Sequence, residues 1–211
     1  MHLFFDLDGT LTDSRPGILA SMRHALVTLG MAVPGDEVLS RLIGPPTRDA
    51  FRELLESSDP ELNERTITIY RQRYAELGLF ESSLYPGILS GVQALRSADF
   101  RLRVVTSKPE VYANRIIDHF ELRQYFGHVY GSELSGERSN KGELIAHVLA
   151  SENISPSQAW MIGDRLHDIV GAKQNGLRSA GVLWGYGSRQ ELKDAGADAI
   201  FQTMPELVQC M

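Results

Sequence analysis

Two aspartates two positions apart, Asp6 and Asp8, close the short apolar run from His2 to Phe5 and are followed at once by Gly9 and Thr10. The run has the length and residue types of a buried strand, so the acids fall where that strand gives out. Side chains two apart in a strand share a face, and a turn that starts between them still brings both to one point. Carboxylates that close repel, and at least one pKa rises unless a cation sits between them. Mg2+ suits such a place, being a hard cation that takes oxygen ligands and works beside phosphates. Three later stretches add to the set: Thr106-Ser107-Lys108-Pro109, Ser139-Asn140-Lys141-Gly142 and Gly163-Asp164-Arg165-Leu166-His167-Asp168. The first reads as a strand end leading into a helix, where a hydroxyl and free N–H groups make an anion site. Carboxylates, a hydroxyl and a lysine are together the parts of phosphoryl transfer, whose catalysis is mainly positioning and charge neutralisation.

The elements that carry these residues follow from apolar spacing. Pro16 opens a helical pattern through Leu29, closed by Gly30; others cover Asp36 to Leu42, Pro46 or Thr47 to Glu56, and a long stretch from Pro60 that includes Tyr70, Tyr74 and Leu77. The Pro45-Pro46 pair in Ile43-Gly44-Pro45-Pro46 predicts a stiff turn. After Tyr85-Pro86-Gly87 the pattern alternates. Strands are expected at Leu102–Thr106, around His128–Tyr130, at Ala159–Gly163, Ser179–Trp184 and Ala199–Phe201. The helices between them are expected at Ile88–Ala98, Pro109–Phe120, Lys141–Ala150 and Asp168–Asn175. Such alternation means a parallel sheet with right-handed crossovers. The sequence therefore predicts an α/β protein, a doubly wound parallel sheet with a Rossmann-like core from 1–14 and 85–211 and an inserted α-helical cap from 15–84.

With Asp6-Leu7-Asp8-Gly9-Thr10, Thr106, Lys141 and Gly163-Asp164 with Asp168 in this order, the chain resembles the haloacid dehalogenase superfamily. The subgroup it resembles carries a helical cap after the first motif, as phosphoglycolate phosphatases do, and Ile43-Gly44-Pro45-Pro46 is similar to theirs. The resemblance implies roles for the matching residues. Asp6 is the nucleophile that forms an aspartyl-phosphate, and Asp8 is the general acid and then the base. Asp6, the backbone carbonyl of Asp8 and Asp164 hold Mg2+, while Thr106, Ser107 and Lys141 bind phosphate oxygens, and Asp168 supports the site by orienting Lys141 or a metal-bound water. Asp8 narrows the chemistry, because an alkoxide leaving group needs a proton and a halide does not. The expectation is a phosphoric monoester hydrolase acting on a small phosphomonoester such as phosphoglycolate, a sugar phosphate or a 5'-nucleotide. A sugar phosphomutase, or a non-catalytic phosphate or phosphoprotein sensor on the same fold, is the alternative.

Around this centre stand residues with two readings each. Arg48 follows the proline turn and either binds a substrate anion or is a surface arginine; Arg15 shares the ambiguity. Lys108 adds positive potential near a phosphate or is solvated, and His167 reads as a turn residue. Trp184-Gly185-Tyr186-Gly187 reads as a loop on the active face, with core packing as the simpler role for Trp184. Tyr70, Tyr74 and Met22 read as cap core. The 211 residues can bury a sizeable core. A net charge of -6 without a basic cluster argues against nucleic acid or anionic membrane as a partner. Cys210, the one cysteine, leaves no internal disulfide and fits a reducing compartment. No secretory signal pattern opens the chain, and no apolar stretch reaches the ~18 residues of a membrane span. These features give the expectation of a cytoplasmic monomer or weak homodimer.

Overall fold

The computed structural model describes residues 1–45, 47–57 and 59–211, so the Pro46 part of the expected proline turn and helix start lies outside the described residues. The chain divides into two compact units, Met1–Asp13 with Leu84–Met211, and Ser14–Ser83. The first holds a parallel sheet of β1 (His2–Phe5), β4 (Arg101–Pro109), β5 (Phe126–Ser132), β6 (Ala159–Gly163), β7 (Arg178–Val182) and β8 (Ala199–Phe201), in the order β5-β4-β1-β6-β7-β8. Two two-residue strands, β2 (Thr12–Asp13) and β3 (Ser83–Leu84), mark the places where the chain leaves and re-enters this unit.

β1 is the central strand, and Leu3, Phe4 and Phe5 are buried on both faces, as a strand covered by helices on each side requires. Phe4 packs with Val105, Leu144, Ile145, Val148, Met161 and Ala172. It thus meets the layer of α7 (Lys141–Glu152) and α8 (Leu166–Gln174). Phe5 points the other way, edge-on to Phe126 at 5.9 Å. That second layer holds α5 (Ile88–Ser97) and α6 (Glu110–His119). Two further helices, α9 (Arg189–Ala195) and α10 (Met204–Cys210), have no counterpart in the sequence reading. Seven-residue helices carry too few apolar repeats to stand out from loop sequence.

The second unit is helical, with α1 (Arg15–Thr28), α2 (Asp36–Arg41), α3 (Thr47–Leu55) and α4 (Pro60–Arg73), the last running on as a π turn from Tyr74 to Gly78. Asp59 caps α4 by accepting from the Glu61 N–H at 2.9 Å, and Pro60 fills the first helical turn, where no N–H is needed. Phe51, Tyr70 and Tyr74 form its aromatic core, with Tyr70 edge-on to Phe51 at 5.2 Å and stacked on Tyr74 at 5.4 Å. Met22 is buried too, whereas Leu77 is exposed, because the π turn rotates it off the apolar face.

The main departure from the expected elements is at β4. The strand does not stop at Thr106 but runs to Pro109, and α6 begins at Glu110. Val105 pairs with Tyr130 and Pro109 with Ser132, so Thr106, Ser107 and Lys108 together oppose Gly131. A bulge of this kind re-aims side chains next to active sites. It buries Thr106 and Lys108 together, which a flat strand would also do, but it removes the expected helix N-terminus from Thr106 and Ser107. A Cβ on Gly131 would lie 2.5 Å from the Glu110 Cα and 2.6 Å from the Lys108 carbonyl oxygen. Gly131→Ala should therefore destabilise the protein by about 1–3 kcal/mol through overpacking against backbone. A fall in the urea midpoint with an unchanged m-value is the expected reading.

Candidate active site

From β1 the chain winds outward to β4 and β5, then returns to the other side of β1 with β6, β7 and β8. The loops at the carboxyl ends of β1, β4 and β6 meet where that order reverses, the place where open α/β sheets bind ligands. Asp6 stands directly after β1, still tied to β6 by its N–H to the Ile162 carbonyl at 2.9 Å. Asp164 follows β6, and Thr106 and Lys108 lie in the β4 bulge.

Lys141 is the first residue of α7, set behind Asn140, whose side chain accepts from the N–H groups of Gly142 at 2.8 Å and Glu143 at 3.2 Å. Its Nζ lies 3.0 Å from Asp6 Oδ1 and 2.9 Å from Asp168 Oδ1, and donates to the Val105 carbonyl at 2.9 Å. Burial alone would lower the Lys141 pKa. Asp168 and Asp6 outweigh it and the net shift is upward, so the ammonium stays charged. Asp168 also accepts from the Arg165 N–H at 3.2 Å, closing the start of α8 two residues earlier than the sequence suggests. It thus meets both the Lys141 ammonium and the start of α8.

Asp164 is wholly buried. Thr10 Oγ1 donates to its Oδ1 at 3.2 Å and the Tyr186 N–H to its Oδ2 at 2.7 Å. Burial first, then the neighbouring Asp168 and Asp6, push its carboxyl up to about 8. Two glycines of the motifs have a steric reason. Gly9 has φ +81°, a left-handed turn that favours glycine, and a Cβ there would lie 2.6 Å from Asp164 Oδ1. A Cβ on Gly163 would overlap the Asp168 carboxylate, with the Asp168 Cβ at 2.5 Å.

Asp8 turns away from this group. Its Oδ2 pairs with Lys108 Nζ at 2.8 Å, and its Oδ1 is buried with no hydrogen-bond partner among the described residues. Lys108 is thus a buried partner of Asp8, and the solvated reading of it does not hold. Thr106 Oγ1 accepts from the Lys108 N–H at 3.3 Å, and the Ser107 carbonyl accepts from Ser132 Oγ at 2.8 Å. Arg48 lies in the helical unit, where its guanidinium is paired with Glu64, and Arg15 is exposed at the start of α1. Trp184 is only half-buried and lies past the end of β7. Its Nε1 donates to the Thr10 carbonyl at 2.9 Å, so core packing is not its role. Thr10 and Tyr186, both in contact with Asp164, were not singled out as site residues from the sequence. The two glycines flanking Tyr186 were the available signal that a backbone comes close there.

Oxygens of Asp6, Asp164 and Asp168 approach one another within 4.8 Å. With all three carboxylates ionised, one buried ammonium leaves two negative charges uncompensated, the charge of one divalent ion. An all-oxygen donor set of this kind fits Mg2+. The carboxylate that joins Asp6 and Asp164 here is that of Asp168, since the Asp8 side chain is engaged by Lys108.

Residues 3–182 match the family model described as haloacid dehalogenase-like hydrolase. A 5'-nucleotidase of Pseudomonas aeruginosa is 42% identical over 91% of this chain and 86% of its own length. The tyrosine-protein kinase PtkA of Mycobacterium tuberculosis is 40% identical over 88% of this chain, which spans 62% of that protein. Relatives 25 to 29% identical are named phosphoglycolate phosphatase. A solved structure described as a predicted phosphatase from Clostridium acetobutylicum superposes with a TM-score of 0.94 at 40% identity, covering 99% of this chain and 96% of that one.

Two outcomes follow from the geometry. Without metal, Asp164 keeps its proton up to about 8 in the folded protein but ionises near 3.8 when unfolded. Between those values the folded state binds more protons, so the metal-free protein should lose stability as pH rises from about 4 to about 8. Mg2+ needs the ionised carboxylate, so its stabilising effect should grow over the same range; Tm measured at pH 5.5 and pH 8 with and without Mg2+ reads both trends. Lys108→Met removes the partner that holds Asp8. If Asp8 is the acid–base group that the family resemblance implies, the expected result is a roughly 10²-fold fall in kcat, read by steady-state kinetics.

Proposed function

Because the chain belongs to the haloacid dehalogenase-like hydrolase family, we propose that it is a Mg2+-dependent phosphatase that cleaves small phosphomonoesters by way of an aspartyl-phosphate on Asp6. The broader class, a phosphoric monoester hydrolase, is that of its relatives named 5'-nucleotidase and phosphoglycolate phosphatase. The observation that carries the finer reading is the pairing of Asp6 Oδ1 with the buried Lys141 ammonium, beside the acid Asp164, which has no cationic side chain bonded to it among the described residues.

Asp6 attacks phosphorus as the bond to the ester oxygen breaks, and Asp8 gives its proton to the leaving alkoxide. Asp8 then takes a proton from the water that attacks the phosphorus on Asp6, which releases orthophosphate and restores both acids. Thr106, Ser107 and Lys141 line up the phosphate oxygens, and Lys108 holds Asp8 until the leaving group arrives. Asp168 keeps Lys141 aimed at Asp6. A divalent ion bound by Asp6, the Asp8 carbonyl and Asp164 supplies further neutralisation of phosphate charge.

Arg48, in the helical unit 14–83, is the substrate-reading residue of this reading, exchanging Glu64 for an anionic group of the substrate. The substrate class is a 5'-nucleotide or a short phosphorylated acid, in keeping with the named relatives. The protein works in the cytoplasm as a monomer or weak homodimer. No helix among the described residues is long and apolar enough to cross a membrane.

Orthophosphate release from 5'-nucleoside monophosphates, phosphoglycolate and sugar phosphates, each with Mg2+ or with a chelator, tests the reading. Metal-dependent release from one of them is expected. Isomerisation of a sugar phosphate without release would point to the mutase, and phosphate binding without turnover to the sensor. Asp6→Asn should abolish turnover with the fold intact by circular dichroism; substantial residual hydrolysis would falsify the nucleophile role.

A further inference from the structure

The segment Trp184-Gly185-Tyr186-Gly187 follows β7 and contributes no group to the chemistry described above, yet it touches Asp164 and the Gly9–Thr10 turn. Trp184 Nε1 donates to the Thr10 carbonyl at 2.9 Å, and the Tyr186 N–H donates to Asp164 Oδ2 at 2.7 Å. Thr10 in turn donates its hydroxyl to Asp164 Oδ1 at 3.2 Å, so both carboxylate oxygens are held, one by each loop. The backbone passes so close that a Cβ on Gly185 would overlap the Gly9 carbonyl and lie 2.5 Å from Asp164 Oδ2. A Cβ on Gly187 would overlap the Asp164 carbonyl. At its far end, the Tyr186 hydroxyl donates to Asp13 Oδ1 at 3.1 Å, and Asp13 is the last residue before the chain enters the helical unit.

We propose that Trp184–Gly187 is a positioning segment for the cation ligand Asp164, and that Tyr186 couples the orientation of that ligand to Asp13. The inference rests on Asp164 serving as a ligand, as proposed above. A carboxylate ligand needs its rotamer fixed, and the groups that hydrogen-bond a ligand from behind commonly govern metal affinity as strongly as a weak ligand does. Here one residue does this with its amide, 22 residues along the chain from Asp164, while its phenol is anchored on Asp13, 173 residues away in sequence. Removing the hydrogen bond between the Tyr186 phenol and Asp13 loosens the hold on the peptide that positions Asp164. Losing the Asp13 acceptor has the same effect from the other end. Asp13→Asn keeps an acceptor oxygen and with it the anchor.

Thermal unfolding of the metal-free full-length protein, titrated with MgCl2, tests this without recourse to activity. Tyr186→Phe and Asp13→Ala are each expected to raise the Mg2+ midpoint about tenfold. Asp13→Asn stays near wild type, and the double variant Tyr186→Phe with Asp13→Ala is no worse than either single change, as for two halves of one interaction. A merely structural contact would lower the metal-free Tm and leave the Mg2+ midpoint where it was; that result overturns the proposal. A wild type whose Tm does not respond to Mg2+ overturns the ligand role of Asp164 and this coupling with it.

Discussion

One buried ammonium group organises the centre of this protein. Lys141 Nζ sits between Asp6 and Asp168 at hydrogen-bond distance, with a backbone carbonyl as its third acceptor. Desolvating a lysine is costly, and removing one member of such a group leaves an unpaired charge in a low-dielectric space. The two carboxylates keep the lysine charged, and the lysine in turn keeps them within reach of each other. Asp164 stands outside that balance, and burial first, then the neighbouring Asp168 and Asp6, push its carboxyl up to about 8. The site is thus built with an electrostatic deficit that a divalent ion and a phosphate can fill between them.

Holding the deficit open requires backbone to come very close to carboxylate. Gly9 and Gly163 leave the volume that Asp164 and Asp168 occupy, and Gly131 leaves room for the bulge that carries Thr106 and Lys108. Two charge pairs stand side by side here. Lys141 serves Asp6, and Lys108 serves Asp8. With separate partners, two aspartates only two residues apart can take different chemical parts, one as nucleophile and one as proton carrier. The helical unit has a different logic, an aromatic core of Phe51, Tyr70 and Tyr74 with charged residues on its outer faces.

The positions of the chemistry and the order of the elements were determined by the sequence itself. Apolar runs ending in Asp6, Thr106 and Asp164, and helices opening at Lys141 and near Asp168, put every motif at one edge of a parallel sheet, because right-handed crossovers leave few other arrangements. Local periodicity also marked Met22, Tyr70 and Tyr74 as core, since burial within a helix repeats with the helix. What only the tertiary structure decided were the pairings between residues far apart in the chain. Lys108 was legible as a lysine near the site but not as the partner of Asp8, one hundred residues away. The extension of β4 to Pro109 comes from its pairing with β5, and Leu77 is exposed on a π turn; neither has a sequence period. Arg48 reads the same whether it faces a ligand or Glu64. Trp184 reads as core until its indole N–H is seen to meet the Thr10 carbonyl. The physical reason is the same in each case. Helices, strands and their order are set by interactions between neighbours in sequence and by the twist of the chain, whereas the partner of a buried charge is set by distance in space.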